Sequence, residues 1–155
     1  MNISAASDYG IRASLHLAMV YLEDPKQLAT TEEIAEAQKI PLKFLETLIR
    51  KLKVANLVES RRGLNGGHKL KIHPSKIDLA AVIRAIDGPL AAVKGERPEK
   101  LKYTGSAKNL TEVWIAVRSS LRSVLEETTL EQVVKGKLPN HVVKSISEPD
   151  AWLRR

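Results

Sequence analysis

Residues 31–72 constrain the fold of this chain more than any other stretch. They read TEEIAEAQKIPLKFLETLIRKLKVANLVESRRGLNGGHKLKI. A short helix is marked first: Thr30 or Thr31 supplies an N-cap oxygen, and Glu33 stands three residues after Thr30, the spacing of a capping box. Ile34, Ala35 and Ala37 give this helix a small apolar face. Lys39-Ile40-Pro41 ends it, because the residue before a proline is pushed out of the α region, while Pro41 is tolerated in the first turn of the next helix. That second helix carries Leu42, Leu45, Leu48, Ile49, Leu52 and Val54, most of them on one face, with Lys43, Glu46, Thr47, Arg50, Lys51 and Lys53 on the other. Asn56 suits a left-handed residue closing the helix. Residues 57–61 then read as a strand, 63–67 as a glycine-rich turn and 68–72 as the returning strand.

Helix, turn, helix and a two-stranded ribbon, in that order, make a winged helix-turn-helix, a fold that puts its second helix in a DNA major groove. Charge agrees with this reading. Between residues 39 and 76 ten Lys or Arg stand against two acids, Glu46 and Glu59, a net of +8, while the whole chain carries +7. The excess positive charge therefore lies in this one segment. Scattered lysines ordinarily mean a solvated surface; a basic patch that coincides with a helix and a wing is instead the electrostatic footprint of phosphate binding.

Other classes are disfavoured. The 155 residues suffice for one domain with a sizeable core, or a small domain with an extension. No apolar run approaches the roughly 20 residues of a membrane span. The start, MNISAASDYGIRASLHLA, lacks a charged region ahead of an apolar core, so no signal peptide and a cytoplasmic location are expected. There is no cysteine, which excludes disulfides, thiolate catalysis and cysteine-ligated zinc or iron–sulfur sites. His16, His68, His73 and His141 are scattered without metal-ligand spacing, and neither a Ser/His/Asp set nor a phosphate-cradling loop is present, so no metal, cofactor or enzyme activity is expected.

Outside the central stretch, residues 4–23 read as a helix capped by Ser4 or Ser7, with Asp8 near its first turn and Ile11, Leu15, Ala18 and Leu22 at helical spacing. Asp78 caps a short helix over 79–86 that Asp87-Gly88-Pro89 stops. Residues 90–108 read as a long loop. Asn109 is expected to cap a helix running to about residue 127, with Leu110, Val113, Trp114, Val117, Leu121, Val124 and Leu125 on one stripe. Packing on its own domain is one use of such a stripe; the favoured use is pairing with the same helix of a second copy, because DNA readers of this type engage two half-sites. Thr129 and Gln132 form another capping box over 130–135, and the polar end from residue 136 is expected to be a loosely held tail in which Trp152 and Leu153 are able to dock. The expected organisation is thus mainly α with a small β-wing: a winged helix-turn-helix unit over 1–88, a regulatory loop over 89–108, a dimerisation helix and turn over 109–135, and a tail over 136–155.

Several pieces resemble the Rrf-type winged-helix repressors of bacteria, the group of IscR, NsrR and CymR. They are Ser7-Asp8-Tyr9-Gly10-Ile11-Arg12-Ala13, Phe44-Leu45-Glu46, Leu57-Val58-Glu59-Ser60-Arg61-Arg62-Gly63, Asn65-Gly66-Gly67-His68-Lys69-Leu70, Ile86-Asp87-Gly88-Pro89 and Thr128-Thr129-Leu130, in family order over about residues 1–135. The resemblance implies a recognition helix starting near Leu42, with Lys43, Glu46 and Thr47 facing bases, and a wing in which Arg62 and the Asn65-Gly66-Gly67 turn enter the neighbouring minor groove. The chemistry is compatible: arginine is drawn to a narrow minor groove, and a carboxylate such as Glu46 can accept from a cytosine amino group. With Thr31, Arg50 and Arg61, these residues form the expected DNA-binding set. The glycines at 63, 66 and 67 permit positive φ and close backbone approach. His68 stands where the family often has Tyr, and a packed strand residue is the favoured role for it over a phosphate contact.

The sequence departs from the metal-sensing members of that group, which carry three cysteines in the loop before the long helix. Here the corresponding region, about 93–109, offers Glu96, Lys102 and Lys108 instead. Asp8 matches a helix-one acid that ligates the cluster in some relatives; a capping or dipole role suits it better here. The expected function is a homodimeric, double-stranded-DNA-binding transcription repressor without a cluster, answering to a small molecule or a partner protein. The competing expectation is a winged-helix module for RNA or protein interaction without operator specificity.

Overall fold

The computed structural model describes residues 3–153, and its first helix, α1 (Ala5–Glu23), is the spine on which the rest is assembled. Ser4 caps it, its hydroxyl accepting from the Ser7 N–H at 2.9 Å. Ala13, Leu17 and Ala18 on α1 are wholly buried. Around α1 pack α2 (Thr31–Gln38), α3 (Leu42–Val54), the strands β1 (Val58–Arg61) and β2 (Gly67–Leu70), and α4 (Leu79–Asp87). One shared core joins Ile34 of α2, Leu45, Leu48 and Leu52 of α3, Val58 and Leu70 of the strands, and Val82 and Ile86 of α4. Leu45, Leu48, Ile49 and Leu52 of α3 are thus turned inward, whereas Leu42 and Val54, at its two ends, are exposed with the charged face.

Local chemistry sets the boundaries. At α2 the capping box closes in both directions: Thr30 Oγ1 accepts from the Glu33 N–H at 3.2 Å, and Glu33 Oε2 accepts from the Thr30 N–H at 2.6 Å. The turn between α2 and α3 is made at Lys39, which is left-handed (φ 52°), one residue earlier than the proline alone implies. Pro41 is the N-cap residue of α3 and not a member of its first turn. Asn56 is left-handed as expected (φ 59°), and its side-chain oxygen accepts from Lys71 Nζ at 2.8 Å. The strands are antiparallel, with Val58 opposite Leu70 and Arg61 opposite Gly67. They are shorter than the sequence reading, although Lys71 still donates to the Leu57 carbonyl at 3.0 Å. Ala29, just before α2, adds a third edge through two bonds with His68, at 2.9 and 2.8 Å.

The fourth part of the core comes from far along the sequence. After α5 (Leu110–Leu125) the chain turns back into α6 (Leu130–Val134), whose Leu130 is wholly buried in the same cluster as Leu17. The Leu79 N–H donates to the Thr128 carbonyl at 3.0 Å, and the Leu130 N–H donates to the Ile77 carbonyl at 2.9 Å. The Thr129–Gln132 capping box fixes α6 where the sequence reading has it. Helix α5 itself has no buried residue, and Asn109 stands at its N-cap without making a side-chain cap bond. The end of the chain is more ordered than a loose tail: it contains α7 (Asn140–Ile146), with Val142 buried and His141 Nε2 2.6 Å from the Ser123 carbonyl. Trp152 is 80% exposed, and its indole N–H donates to the Ile146 carbonyl at 2.7 Å. No helix among the described residues is long and apolar enough to cross a membrane.

Candidate nucleic-acid interface

The outer face of α3, the start of α2 and the two strands border one open groove of about 480 Å3. Thr31, Glu46, Arg50, Arg61 and Arg62 all line it, so five residues of the expected set converge from three elements. Lys43 is exposed on the first turn of α3, outside the groove, and Thr47 is half-buried, its hydroxyl accepting from Arg50 at 3.3 Å. Asn65 is exposed in the wing turn. Four lining residues are additions: Ile49, Lys53, Ser60 and His68. Lys53 follows Arg50 by three residues on the same face of α3, a spacing that was visible in the sequence. Leu64 at the wing tip is wholly exposed, a position that strand patterning does not flag.

The groove is positive by construction. Arg50, Lys53, Arg61 and Arg62 face it against a single carboxylate, Glu46. Elsewhere on the wing Glu59 is spent on Lys69, its cross-strand partner, at 3.2 Å, while Arg61 and Arg62 form no ion pair among the described residues. Charges left unanswered beside a shaped groove are what a phosphate backbone neutralises.

Two wing glycines serve the protein's own backbone. A Cβ at Gly66 would stand 2.4 Å from the Arg61 carbonyl oxygen, and one at Gly67 would stand 2.8 Å from the Ala29 carbonyl oxygen. Gly66 does not adopt positive φ; it makes a tight turn whose N–H donates to the Gly63 carbonyl at 2.9 Å. Of the three only Gly63 combines positive φ (108°) with open space around it.

His68 ties the groove together. Its Nε2 lies 2.8 Å from Thr31 Oγ1 and its Nδ1 lies 2.7 Å from Ser60 Oγ, so one half-buried imidazole links the start of α2 to β1. Loss of hydration, and then the nearby Lys53 charge, hold its pKa below the ordinary histidine value, with Glu32 pulling the other way. A depressed folded pKa means that the native state binds fewer protons than the unfolded chain. The associated stability is therefore complete above about pH 6.5, the unfolded value, and is lost as pH falls from there through the folded value. The thermal midpoint is expected to drop between about pH 7.5 and 5.5, and His68→Gln should flatten that dependence, leaving the share of His16, whose pKa burial also depresses. Calorimetric scans of both proteins across that range test this; parallel curves would exonerate His68.

A helix-turn-helix with a basic groove between its second helix and a β-wing defines the class of winged-helix DNA-binding proteins. Comparison with known proteins narrows this. The family described as "Rrf2: Iron-dependent Transcriptional regulator" matches residues 3–136. The chain is 42% identical over 144 residues to a Mycobacterium tuberculosis (strain H37Rv) protein assigned to the HTH-type transcriptional regulators, spanning 93% of this chain and 88% of the other. It is 35% identical to the transcriptional regulator CymR of Bacillus subtilis, over 86% of this chain and 89% of that one. The structure of CymR, described as the global cysteine regulator of that organism, superposes with a TM-score of 0.73 at 32% identity, covering 88% of this chain and 98% of its own. IscR of T. potens gives 0.70 at 31% identity, over 88% of each chain. The chain belongs to the Rrf2 family of DNA-binding transcription regulators, a family of regulators and not of enzymes.

The iron in that family's description raises the question of ligands. The loop offers none of the thiolates a cluster requires, since the chain has no cysteine. Its one acid at a matching place, Glu96, lies 3.8 Å from Lys100, and the Val93 and Glu96 backbones bond each other at 2.9 and 3.0 Å in a small closed turn. The other two positions are Lys102 and Lys108. Among the described residues no three His, Asp or Glu side chains gather as metal ligands. The donor set does not fit an iron–sulfur cluster.

The expected dimer stripe divides. Leu121, Val124 and Leu125 border an apolar hollow of about 550 Å3 against Ile83, Leu90 and the start of α1. Trp114 and Val117 face the loop at 91–94. Leu110 is half-buried, whereas Val113 is 51% exposed and Val124 37% exposed.

Proposed function

We propose that this chain is a homodimeric, sequence-specific repressor that carries no iron–sulfur cluster, acts in the cytoplasm on double-stranded DNA, and answers to a small ligand or partner protein near residues 93–108. The observation that carries the reading is the groove in which Thr31, Arg50, Lys53, Arg61 and Arg62 converge around Glu46. In this reading α3 enters the major groove, with Lys43, Glu46 and Thr47 toward base edges and Arg50 toward phosphate. Arg62 and the Asn65-Gly66-Gly67 turn reach the adjoining minor groove, where the negative potential is deepest. Pairing through α5 is supported by the absence of any buried residue on that helix.

The decisive experiment is fluorescence anisotropy with a random duplex at several salt concentrations, followed by selection of bound sequences from a random pool. Duplex binding should weaken steeply with salt. Arg62→Ala should weaken it further and reduce the magnitude of the log–log salt slope by about one. An unchanged slope and affinity would remove Arg62 from the interface. The protein purified without oxygen should be colourless, hold no iron, and bind duplex equally in air and under nitrogen, because every thiolate a cluster uses is missing. Near-stoichiometric iron with visible absorbance would overturn the cluster-free reading.

A further inference from the structure

A second positive cleft lies away from the α3–wing groove and shares no residue with it. Four arginines from three elements line it: Arg84 on α4, Arg97 in the loop, and Arg118 and Arg122 one turn apart on α5. Two carboxylates answer them. Glu99 holds Arg118 at 2.5 Å, and Glu126 bridges Arg84 and Arg122, the latter at 3.5 Å. The Arg97 side chain forms no hydrogen bond or ion pair among the described residues; the Glu99 carboxyl is held below its usual range first by a backbone hydrogen bond, then by its hydrogen bond with Arg118, with the fields of Arg118 and Arg97 adding to these. The cleft therefore carries an excess of two positive charges. Its walls are firmly placed: Leu90 is buried, and the side chain of Arg118 is only 13% exposed. At about 320 Å3 it lies at the small end of ligand pockets.

We infer that this cleft is a binding site for a small dianion, a metabolite bearing two carboxylates or a phosphate monoester. Guanidinium groups stay charged at any physiological pH and present paired N–H donors that match carboxylate and phosphate oxygens. Arg118–Glu99 apart, the existing pairs, both made by Glu126, are half-exposed, and exposed pairs are weakly held, so Glu126 yields readily to a ligand that satisfies several arginines together. Such a ligand draws α4, the turn after Arg97 and α5 together, at the joint between the DNA-reading unit and the helix assigned to pairing. The inference gives the proposed control of this regulator a chemical class and an address; it rests on that reading for its biological consequence and not for the binding itself.

Isothermal titration calorimetry of the full chain, at constant ionic strength and without DNA, tests it with succinate, glycerol 3-phosphate and inorganic phosphate, and with acetate as the monoanion control. At least one dianion should saturate with one site per chain and a Kd below about 1 mM. Arg97→Gln, which breaks no ion pair, should weaken it about tenfold or more, and Arg62→Ala should leave it unchanged. Failure of every dianion to saturate, equal binding of acetate, or wild-type affinity in Arg97→Gln would each overturn the site. Because no duplex is present, these outcomes stand apart from those of the anisotropy experiment.

Discussion

A chain carrying both Val113→Glu and Val124→Glu is expected to sediment as a monomer at concentrations where the unaltered protein is a dimer, and to lose on the order of a hundredfold or more in affinity for a two-half-site duplex. The positions are eleven residues apart, three helical turns, so both side chains lie on one face of α5. They are exposed in the protomer, at 51% and 37%, so the change leaves the winged-helix core intact. Between them on that face stand Ala116 and Ser120, small residues that let a second helix approach closely. Two pairs of buried glutamates in such an interface would lack partners, which association cannot tolerate. The expected affinity loss follows from linkage in the proposed dimer, where each reading head would bind its half-site weakly and pairing would make the second engagement intramolecular. Val117 and Leu121 are poorer probes, because they are half-buried against the loop and hollow of their own protomer; Val124 borders the same hollow but is more exposed. Analytical ultracentrifugation gives the answer, with circular dichroism to show that both proteins are folded. A persisting dimer would place the interface elsewhere than on this face of α5.

The sequence was most legible where the determining contacts are short. The Thr30–Glu33 and Thr129–Gln132 boxes, the left-handed Asn56 and the two faces of α3 all depend on residues within a few positions of one another, and each is found where the pattern puts it. What the pattern missed depends on contacts made at long range. Nothing local marks Leu130 as a core residue beneath α1, because its burial depends on the chain returning after α5 to bond at Ile77 and Thr128. The role of His68 as a link depends on Thr31, thirty-seven positions earlier. The tail reads as loose because it is polar and carries Pro139 and Pro149, yet Val142 is buried within α7. The second cleft is made by Arg97 with arginines of α4 and α5, which no window of sequence brings together.

Valine in place of Gly67 should lower the thermal midpoint by roughly 10–20 °C and, at temperatures where the protein remains folded, weaken duplex binding by more than about tenfold. Gly67 combines positive φ (150°) with direct backbone contact: an added Cβ would lie 2.8 Å from the Ala29 carbonyl oxygen and 3.0 Å from its carbon. Backbone cannot move aside as a flexible side-chain end can. Relief therefore requires the Ala29 segment to separate from β2, breaking the two bonds it shares with His68. Strain at a β-branched residue held at positive φ costs about 1–3 kcal/mol, and each lost backbone bond adds about 1 kcal/mol, a total of several kcal/mol against a usual stability of about 5–15. The binding loss has a geometric origin. Ala29 leads into α2, and Thr31 at the start of α2 is positioned by His68 Nε2 at 2.8 Å, so separating this edge unlinks the helix-turn-helix from the wing. Gly63→Val is the control: it has comparable positive φ (108°) but open space around it, so it should strain the turn while leaving the Ala29–His68 pairing in place. Matching losses of stability and binding in the two variants would mean that φ strain alone is responsible, and that close approach to Ala29 is not what requires glycine at position 67.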